Sequence, residues 1–378
     1  MKWKIPLYKV LNDSQEVKAV SKVIKRGMDW AIGPEIENFE NELAKYVGSK
    51  YCISFNSGTS AGHAALLALK IKKNSEVIVP SFSFISTANW PLMVNTKPKF
   101  ADIEYDSFGM EPNDLRIKFS VKTKAVIPVH YAGLPCKINE ILDFTKKKKI
   151  PLIEDAAESL GATVRKKKVG TFGDMGIFSF AGNKVLTCGE GGAVVTNSKK
   201  LSDRLKLIRS HGRLTNNNYF RTNEKPTYIQ LGYNWRMSSI TAALASSQLT
   251  KIEKLIKMRR SNAKYMTKHL NKYDEIYILN EGKEQRHVFQ LFSILLSTNK
   301  LRNKLFNFLT KKQIMTKIFF EPIHKSKFYK NSRNLKLINT NDISSRIISL
   351  PMYPQLTKNE MNYICNSIKE FLERESCY

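Results

Sequence analysis

The chain has 378 residues, enough for two domains or for one large domain with an appendage. Hydrophobic residues make up 42% and charged residues 25%, the composition of a soluble globular protein with a large core. The formal net charge of +29 would allow attraction to nucleic acid, an acidic membrane surface or phosphorylated substrates, but no zinc-finger or RNA-recognition motif accompanies it.

The basic runs Lys146 to Lys149 and Arg165 to Lys168 fall at expected element ends and read as solvated surface. Five widely spaced cysteines (Cys52, Cys136, Cys188, Cys365 and Cys377) form no CxxC pair, so neither a metal site nor a disulfide framework is expected. That usage fits a reducing, cytoplasmic setting. MKWKIPLYKV lacks the long apolar segment of a secretory signal, and no apolar run reaches transmembrane length.

In chain order, Cys52 to Phe55 reads as a strand, followed by a small-residue turn and a helix through Ala64, Leu67 and Leu69. Further short apolar runs occupy 77–79, 125–129, 151–153, 176–180 and 193–195. Runs without alternation suit strands buried on both faces, and their interleaving with helical patterns predicts an α/β fold around a mainly parallel sheet. From about Ser239 a long helical pattern runs through Leu244, Leu249, Ile252 and Leu255. A smaller mixed segment follows, with a strand-like stretch at Val288 to Phe292 and a last helix through Met361, Ile364, Ile368 and Phe371. The domain boundary is expected near residue 250, inside the long helical connection.

Three segments carry chemistry. Ser57-Gly58-Thr59-Ser60 lies between a strand and a helix, where free amides and hydroxyls can cradle a phosphate; the same residues also serve as ordinary helix caps. Glu154 and Asp155 end a strand, the edge where open α/β sheets keep ligands, and a carboxylate there needs a cationic partner. Lys184 follows the strand ending at Ser179 and precedes the glycine-rich stretch 189–192; a partly buried lysine can attack a carbonyl. A phosphate cradle, a strand-end acid and a later lysine are together the parts that pyridoxal 5'-phosphate (PLP) requires.

With these segments the chain resembles the DegT/StrS-like sugar-nucleotide aminotransferases, a branch of the fold type I PLP enzymes. The resemblance extends from Trp30-Ala31-Ile32-Gly33-Pro34-Glu35 nearly to the C-terminus. It takes in 57–61, 80–88, 129–133, 154–161, 178–180 with Lys184, 190–192 and Gly232-Tyr233-Asn234-Trp235-Arg236-Met237. It implies a large PLP-binding domain over residues 1–250, with a mixed, mainly parallel sheet, and a smaller C-terminal α+β domain over 251–378.

The resemblance also implies roles. Lys184 matches the Schiff-base lysine and proton shuttle, and Asp155 the partner of the pyridinium nitrogen. Phe84 matches the aromatic stacked on the cofactor ring, and Thr59, Ser60 and Ser179 the phosphate contacts, with Gly58 of the same cradle letting the chain approach the anion. Asn234 matches a residue that reaches the phosphate from a neighbouring subunit, which implies a homodimer with shared active sites. Glu158, near the cofactor's ring oxygen, stands where many relatives carry Gln or His, and a Glu there resembles the perosamine-synthase-like enzymes. Gly33, His130, Arg209, His211, Arg236 and His324 sit in family-like contexts, with structural hydrogen bonds an equal reading for Arg236 and the histidines. The segment Phe319 to His324 resembles a stretch lining the sugar site.

The implied reaction moves an amino group from glutamate to a nucleotide-linked keto sugar, 4-keto-6-deoxy by the Glu158 argument, with no nucleic-acid or membrane partner. A 3-keto specificity is the neighbouring alternative. A sugar dehydratase of the same family is disfavoured, because those enzymes resemble this one but carry histidine at the position of Lys184. A basic nucleic-acid-binding regulator rests on the net charge alone.

Overall fold

The computed structural model describes residues 3–214, 223, 225–329, 332 and 334–376. The strands of the first two-thirds are β1 (Tyr51–Phe55), β2 (Glu76–Pro80), β3 (Lys97–Ala101), β4 (Thr123–Val126), β5 (Ile153–Asp155), β6 (Thr163–Val164), β7 (Lys167–Lys168), β8 (Met175–Ser179) and β9 (Gly192–Thr196). The helices there are α1 (Ser14–Lys25), α2 (Pro34–Val47), α3 (Gly58–Leu69), α4 (Ile85–Met93), α5 (Pro112–Lys118), α6 (Ile138–Lys148) and α7 (Lys199–Arg209). The remainder contributes α8 (Ser239–Thr250), α9 (Ile252–Leu270), β10 (Ile276–Ile278), β11 (Gln285–Arg286), β12 (Phe292–Leu296), α10 (Asn299–Lys311), α11 (Ile338–Arg346), β13 (Ile347–Leu350) and α12 (Lys358–Ser376).

The apolar runs become the central sheet. β2 pairs in parallel with β3 and β4, and β5 pairs in parallel with β8. Isolated parallel bridges Val126–Leu152 and Val129–Asp155 join these two halves. β9 runs antiparallel to both β8 and β1, which makes the sheet mixed but mainly parallel. On one face α3 packs Ala61, Ala64, Ala65 and Ala68 against Ile53, Ile177 and Val194. Small side chains let the helix approach closely, and the strands, covered on both sides, need no polar alternation. On the other face Phe39 and Leu43 of α2 and Ala242 and Ala245 of α8 meet Phe178 and Val195.

Beyond this core lies the antiparallel sheet β10-β12-β13 with α10 and α12 around it. Helix α9 spans both regions: Leu255 and Ile256 join the large core, whereas Ala263, Met266 and Leu270 join the C-terminal one. The helical connection breaks at Lys251, whose ammonium reaches Asp13 at 2.8 Å and Glu16 at 2.6 Å. The N-terminal segment returns to the C-terminal core: Ile5 is buried there and bridges Ile314.

The stretch expected to be a strand from Val288 begins its ladder only at Phe292, because Val288 and Leu291 instead donate their amides to Gly133 and Ala132 at 3.1 and 3.2 Å. Lys146 to Lys148 occupy the last turn of α6, where positive charge is favoured by the helix dipole. Arg165 and Lys166, at φ 48° and 67°, turn the β6–β7 hairpin. Cys52, Cys136, Cys188 and Cys365 are buried free thiols, and Cys377 lies outside the described residues. Among the described residues no helix is long and apolar enough to cross a membrane, and no cluster of His, Cys, Asp and Glu could hold a metal ion.

Candidate active site

Strand β1 ends two residues before Ser57, which caps α3 by accepting the Ser60 amide at 3.1 Å. The first amides of a helix lie outside its own hydrogen-bond ladder, so those of Gly58 and Thr59 remain available to an anion at the positive helix end. The neighbouring backbone is close: a Cβ on Gly58 would lie 3.0 Å from the Ser179 Cβ, and one on Gly192 only 2.5 Å from the Ser57 carbonyl carbon. Thr59 and Ser86 share a hydroxyl contact of 3.0 Å across the same opening. Ser60 is turned inward, its hydroxyl donating to Asn56 Oδ1 at 2.7 Å.

The two acids of β5 point to opposite faces, as strand alternation requires. Glu154 is fully buried and accepts the amides of Gly170, Phe172 and Gly173 at 2.6–2.8 Å, with His130 Nε2 at 3.1 Å. The Cys136 amide donates to His130 Nδ1, so this imidazole is a structural link between backbone and carboxylate. Asp155 instead opens on the cleft. It accepts the Thr87 hydroxyl at 2.7 Å and the Ala157 amide at 3.2 Å. Burial pushes its carboxyl above the usual range, an effect these two bonds and the charge of Lys184 oppose.

Lys184 sits in a loop closed by the Phe180 amide on Gly191 O at 2.8 Å and the Cys188 amide on Phe180 O at 3.1 Å. Gln290, from beyond α9, pins that loop by donating to Asn183 O at 2.6 Å. The Lys184 ammonium donates to Glu158 Oε1 at 3.4 Å, and Glu158 Oε2 accepts the Ala132 amide at 2.9 Å.

Gly58, Thr59, Phe84, Asp155, Glu158, Ser179 and Lys184 thus surround one cleft of about 290 Å³. Phe84 is 59% exposed and forms part of its wall together with Phe319 and Phe320. Ser60 does not line the cleft; its hydroxyl is turned to Asn56 and the Ser57 carbonyl. Asn234 is exposed, bridges Ser210 through its backbone and lies off the cleft of its own chain.

Among the other family-like positions, Arg209 pairs with Glu40 and Arg236 donates to Ser210 Oγ at 3.1 Å. His324 is buried with Nδ1 2.7 Å from Ser81 Oγ. Gly33 caps α2, and a Cβ there would lie 2.9 Å from Ser239 Oγ. Sequence reasoning assigned no role to Thr87, Ser86, Asn183 or Gln290. Thr87 could have been found by its spacing: it is one helical turn beyond Ser83, whose hydroxyl it meets at 2.8 Å.

A family model of the DegT/DnrJ/EryC1/StrS aminotransferases matches residues 11–369. The chain belongs to this family. It is 35% identical over 367 residues to a GDP-perosamine synthase of Escherichia coli O157:H7, covering 97% of this chain and 98% of that one. A GDP-perosamine synthase of Vibrio cholerae is 34% identical over 370 residues, at 97% and 99% coverage. Among solved structures, Helicobacter pylori PseC, an aminotransferase involved in the biosynthesis of pseudoaminic acid, superposes with a TM-score of 0.92 at 27% identity, covering 99% and 100% of the two chains.

The protein is therefore a PLP-dependent aminotransferase of the fold type I class, as the motifs led one to expect. The residues suit that cofactor. The glycine-lined opening at α3 is shaped for an anion, a buried carboxyl on the cleft calls for a cationic partner such as a protonated ring nitrogen would be, and a lysine amine lies on the same cleft.

Proposed function

We propose that this enzyme transfers an amino group from glutamate to C4 of a nucleoside-diphosphate-linked 4-keto-6-deoxy sugar, acting as a homodimer with shared active sites. The observation that carries the reading is the convergence of Lys184, Asp155 and the Gly58–Thr59 cradle on one cleft. A second hollow of about 450 Å³ shares Ser83, Phe84 and Phe320 with the cleft and is bordered by Glu321, Lys325 and Lys327, room and a net positive lining suited to a diphosphate. The likeness to the two perosamine synthases and the Glu at position 158 support the C4 position.

In this reading the cofactor supplies an electron sink once bound. The amides of Gly58 and Thr59, with the hydroxyls of Thr59 and Ser179, hold its phosphate, and Phe84 covers the ring. Asp155 keeps the proton on the ring nitrogen: its carboxylate is fixed by Thr87 and Ala157, and burial makes it prefer a cation to water. Lys184 would provide the amine that holds the cofactor and, once freed, a base on the cleft able to take up and return a proton at its Nζ. Glu158 is within reach to orient that amine. Leu214, Tyr228, Ile229 and Leu231 are exposed on the two stretches that bridge at Ser210–Asn234 and Arg213–Tyr228, apolar surface suited to burial against a second copy that would receive Asn234 at its own cofactor phosphate.

The test offers purified enzyme matched 3-keto and 4-keto sugar nucleotides with glutamate and locates the new nitrogen by NMR. Amination at C4 is expected. Turnover of the 3-keto substrate alone would overturn the regiochemistry while leaving the aminotransferase intact.

A further inference from the structure

Tyr131 lies in a short turn at Tyr131–Gly133 and is fully buried, yet its hydroxyl is tied to a wall of the cleft. It donates to the carbonyl of Phe319 at 2.7 Å and meets Ser293 Oγ at 2.9 Å. Ser293 on β12 in turn meets Ser349 Oγ on β13 at 2.7 Å. A carbonyl can only accept, and each hydroxyl has one proton to give. With the Tyr131 proton committed to Phe319, Ser293 must donate to Tyr131, and Ser349 to Ser293. The chain of hydroxyls therefore has one direction, ending at the Phe319 carbonyl. Lys317 is held as well, exchanging backbone hydrogen bonds with Ser349 at 2.8 and 3.1 Å. The segment 317–319 is fastened at both ends.

The next residue in the turn faces the opposite wall. Ala132, in the left-handed region at φ 56°, donates its amide to Glu158, which accepts from Lys184. Two successive residues of one buried turn thus hold the Lys184–Glu158 side and the Phe319–Phe320 side of the cleft. Phe320 borders both the inner cleft and the outer hollow. Its ring sits 6.0 Å from that of Tyr131 and 6.2 Å from that of Phe82.

We propose that Tyr131 is a positioning residue for the amino acceptor: its hydroxyl sets the junction between the inner cleft and the outer hollow through Phe319. This rests on the nucleotide-sugar reading. A small amino acid donor needs only the inner cleft, whereas a sugar linked to a nucleotide must thread the junction. Loosening Phe319 therefore penalises the acceptor and spares the donor.

The test is Tyr131→Phe, which removes one oxygen and no carbon. The two half-reactions are followed separately through the absorbance of the bound cofactor. The glutamate half should stay within about twofold of wild type, and kcat/KM for the keto-sugar half should fall about tenfold, the loss expected for one hydrogen bond. Equal losses in both halves, or no loss in either, would overturn the proposal. A crystal structure of the variant gives a readout without substrate: residues 317–320 should shift while the Lys184–Glu158 pair stays in place, and an unmoved segment overturns the proposal. If wild-type enzyme transfers nothing to any nucleotide-linked keto sugar, the substrate reading has failed, and the displacement alone then decides the role of Tyr131.

Discussion

The Lys184 ammonium shares the two oxygens of Glu158 with a backbone amide, that of Ala132. The amide fixes the carboxylate, so the lysine is aimed by a group that cannot swing away. Lys184→Ala should abolish turnover, because among the described residues no other lysine lines the cleft to take over proton transfer. The cradle at α3 is untouched, so the variant should still bind the cofactor through its phosphate, without the absorbance of a lysine-linked form. Turnover near the wild-type rate would remove Lys184 from the mechanism.

Asp155→Asn should retain the cofactor and slow transamination by two or more orders of magnitude. A neutral amide cannot hold a proton on the ring nitrogen, and a hundredfold loss corresponds to only about 3 kcal/mol of transition-state stabilisation. The Thr87 hydroxyl keeps an acceptor in Asn, so the side chain should stay in place. The check is single-turnover kinetics with glutamate. Unchanged rates would mean that the ring nitrogen needs no carboxylate here.

Much of this site could be read from the chain because its parts are local. A strand, a small-residue turn and a helix start are contiguous at 51–60, and the acid and the lysine each follow directly on a strand end. What stayed hidden depends on distant segments. Nothing near Lys184 announces that Gln290 pins its loop from across α9, and nothing in MKWKIPLYKV predicts that Ile5 joins a core built from residues beyond 260. Glu154 and Asp155 read alike as strand-end acids. Only the sheet's alternation, with three amides waiting on one face, separates the structural carboxylate from the one on the cleft. Asn234 is legible only through the resemblance, since in its own chain it touches no part of the cleft.

Asp155 also makes a prediction about stability. Burial raises its carboxyl above the value in the unfolded chain, about 3.9. A raised folded value means that the native state favours the protonated form. The associated stability is full below the unfolded value and is lost as pH rises through the folded one. In cofactor-free protein at neutral pH, Asp155→Asn should therefore melt at a higher temperature than wild type. The gap should narrow as pH falls and close below about 3.9, where Asp155 is protonated in the folded and the unfolded chain alike. With cofactor bound, the ring nitrogen's charge should reverse the order at neutral pH. Thermal melts of both proteins with and without cofactor would check this. A pH-independent gap would show that packing, not ionisation, sets the difference.

The last prediction concerns the second subunit. Asn234 is exposed, as are Tyr228, Ile229 and Leu231 in the stretch before it, and it lies off the cleft of its own chain. If it serves the partner's cofactor phosphate, each site needs Lys184 from one subunit and Asn234 from the other. Asn234→Ala alone should then weaken cofactor retention and activity by at least tenfold, about the cost of one charge-assisted hydrogen bond. Mixing Asn234→Ala with Lys184→Ala subunits should restore activity that neither has alone. In each mixed dimer one site carries both defects and the other carries neither. Random exchange of equal amounts leaves about one site in four intact, for a dimer whose two sites are related by symmetry. The measurement is specific activity after exchange, with mixed dimers verified by native mass spectrometry of differently tagged subunits. If Asn234 acted within its own chain, the Lys184→Ala subunit would contribute no working site, the Asn234→Ala subunit would keep its defect, and activity would stay at the level of the unmixed variants.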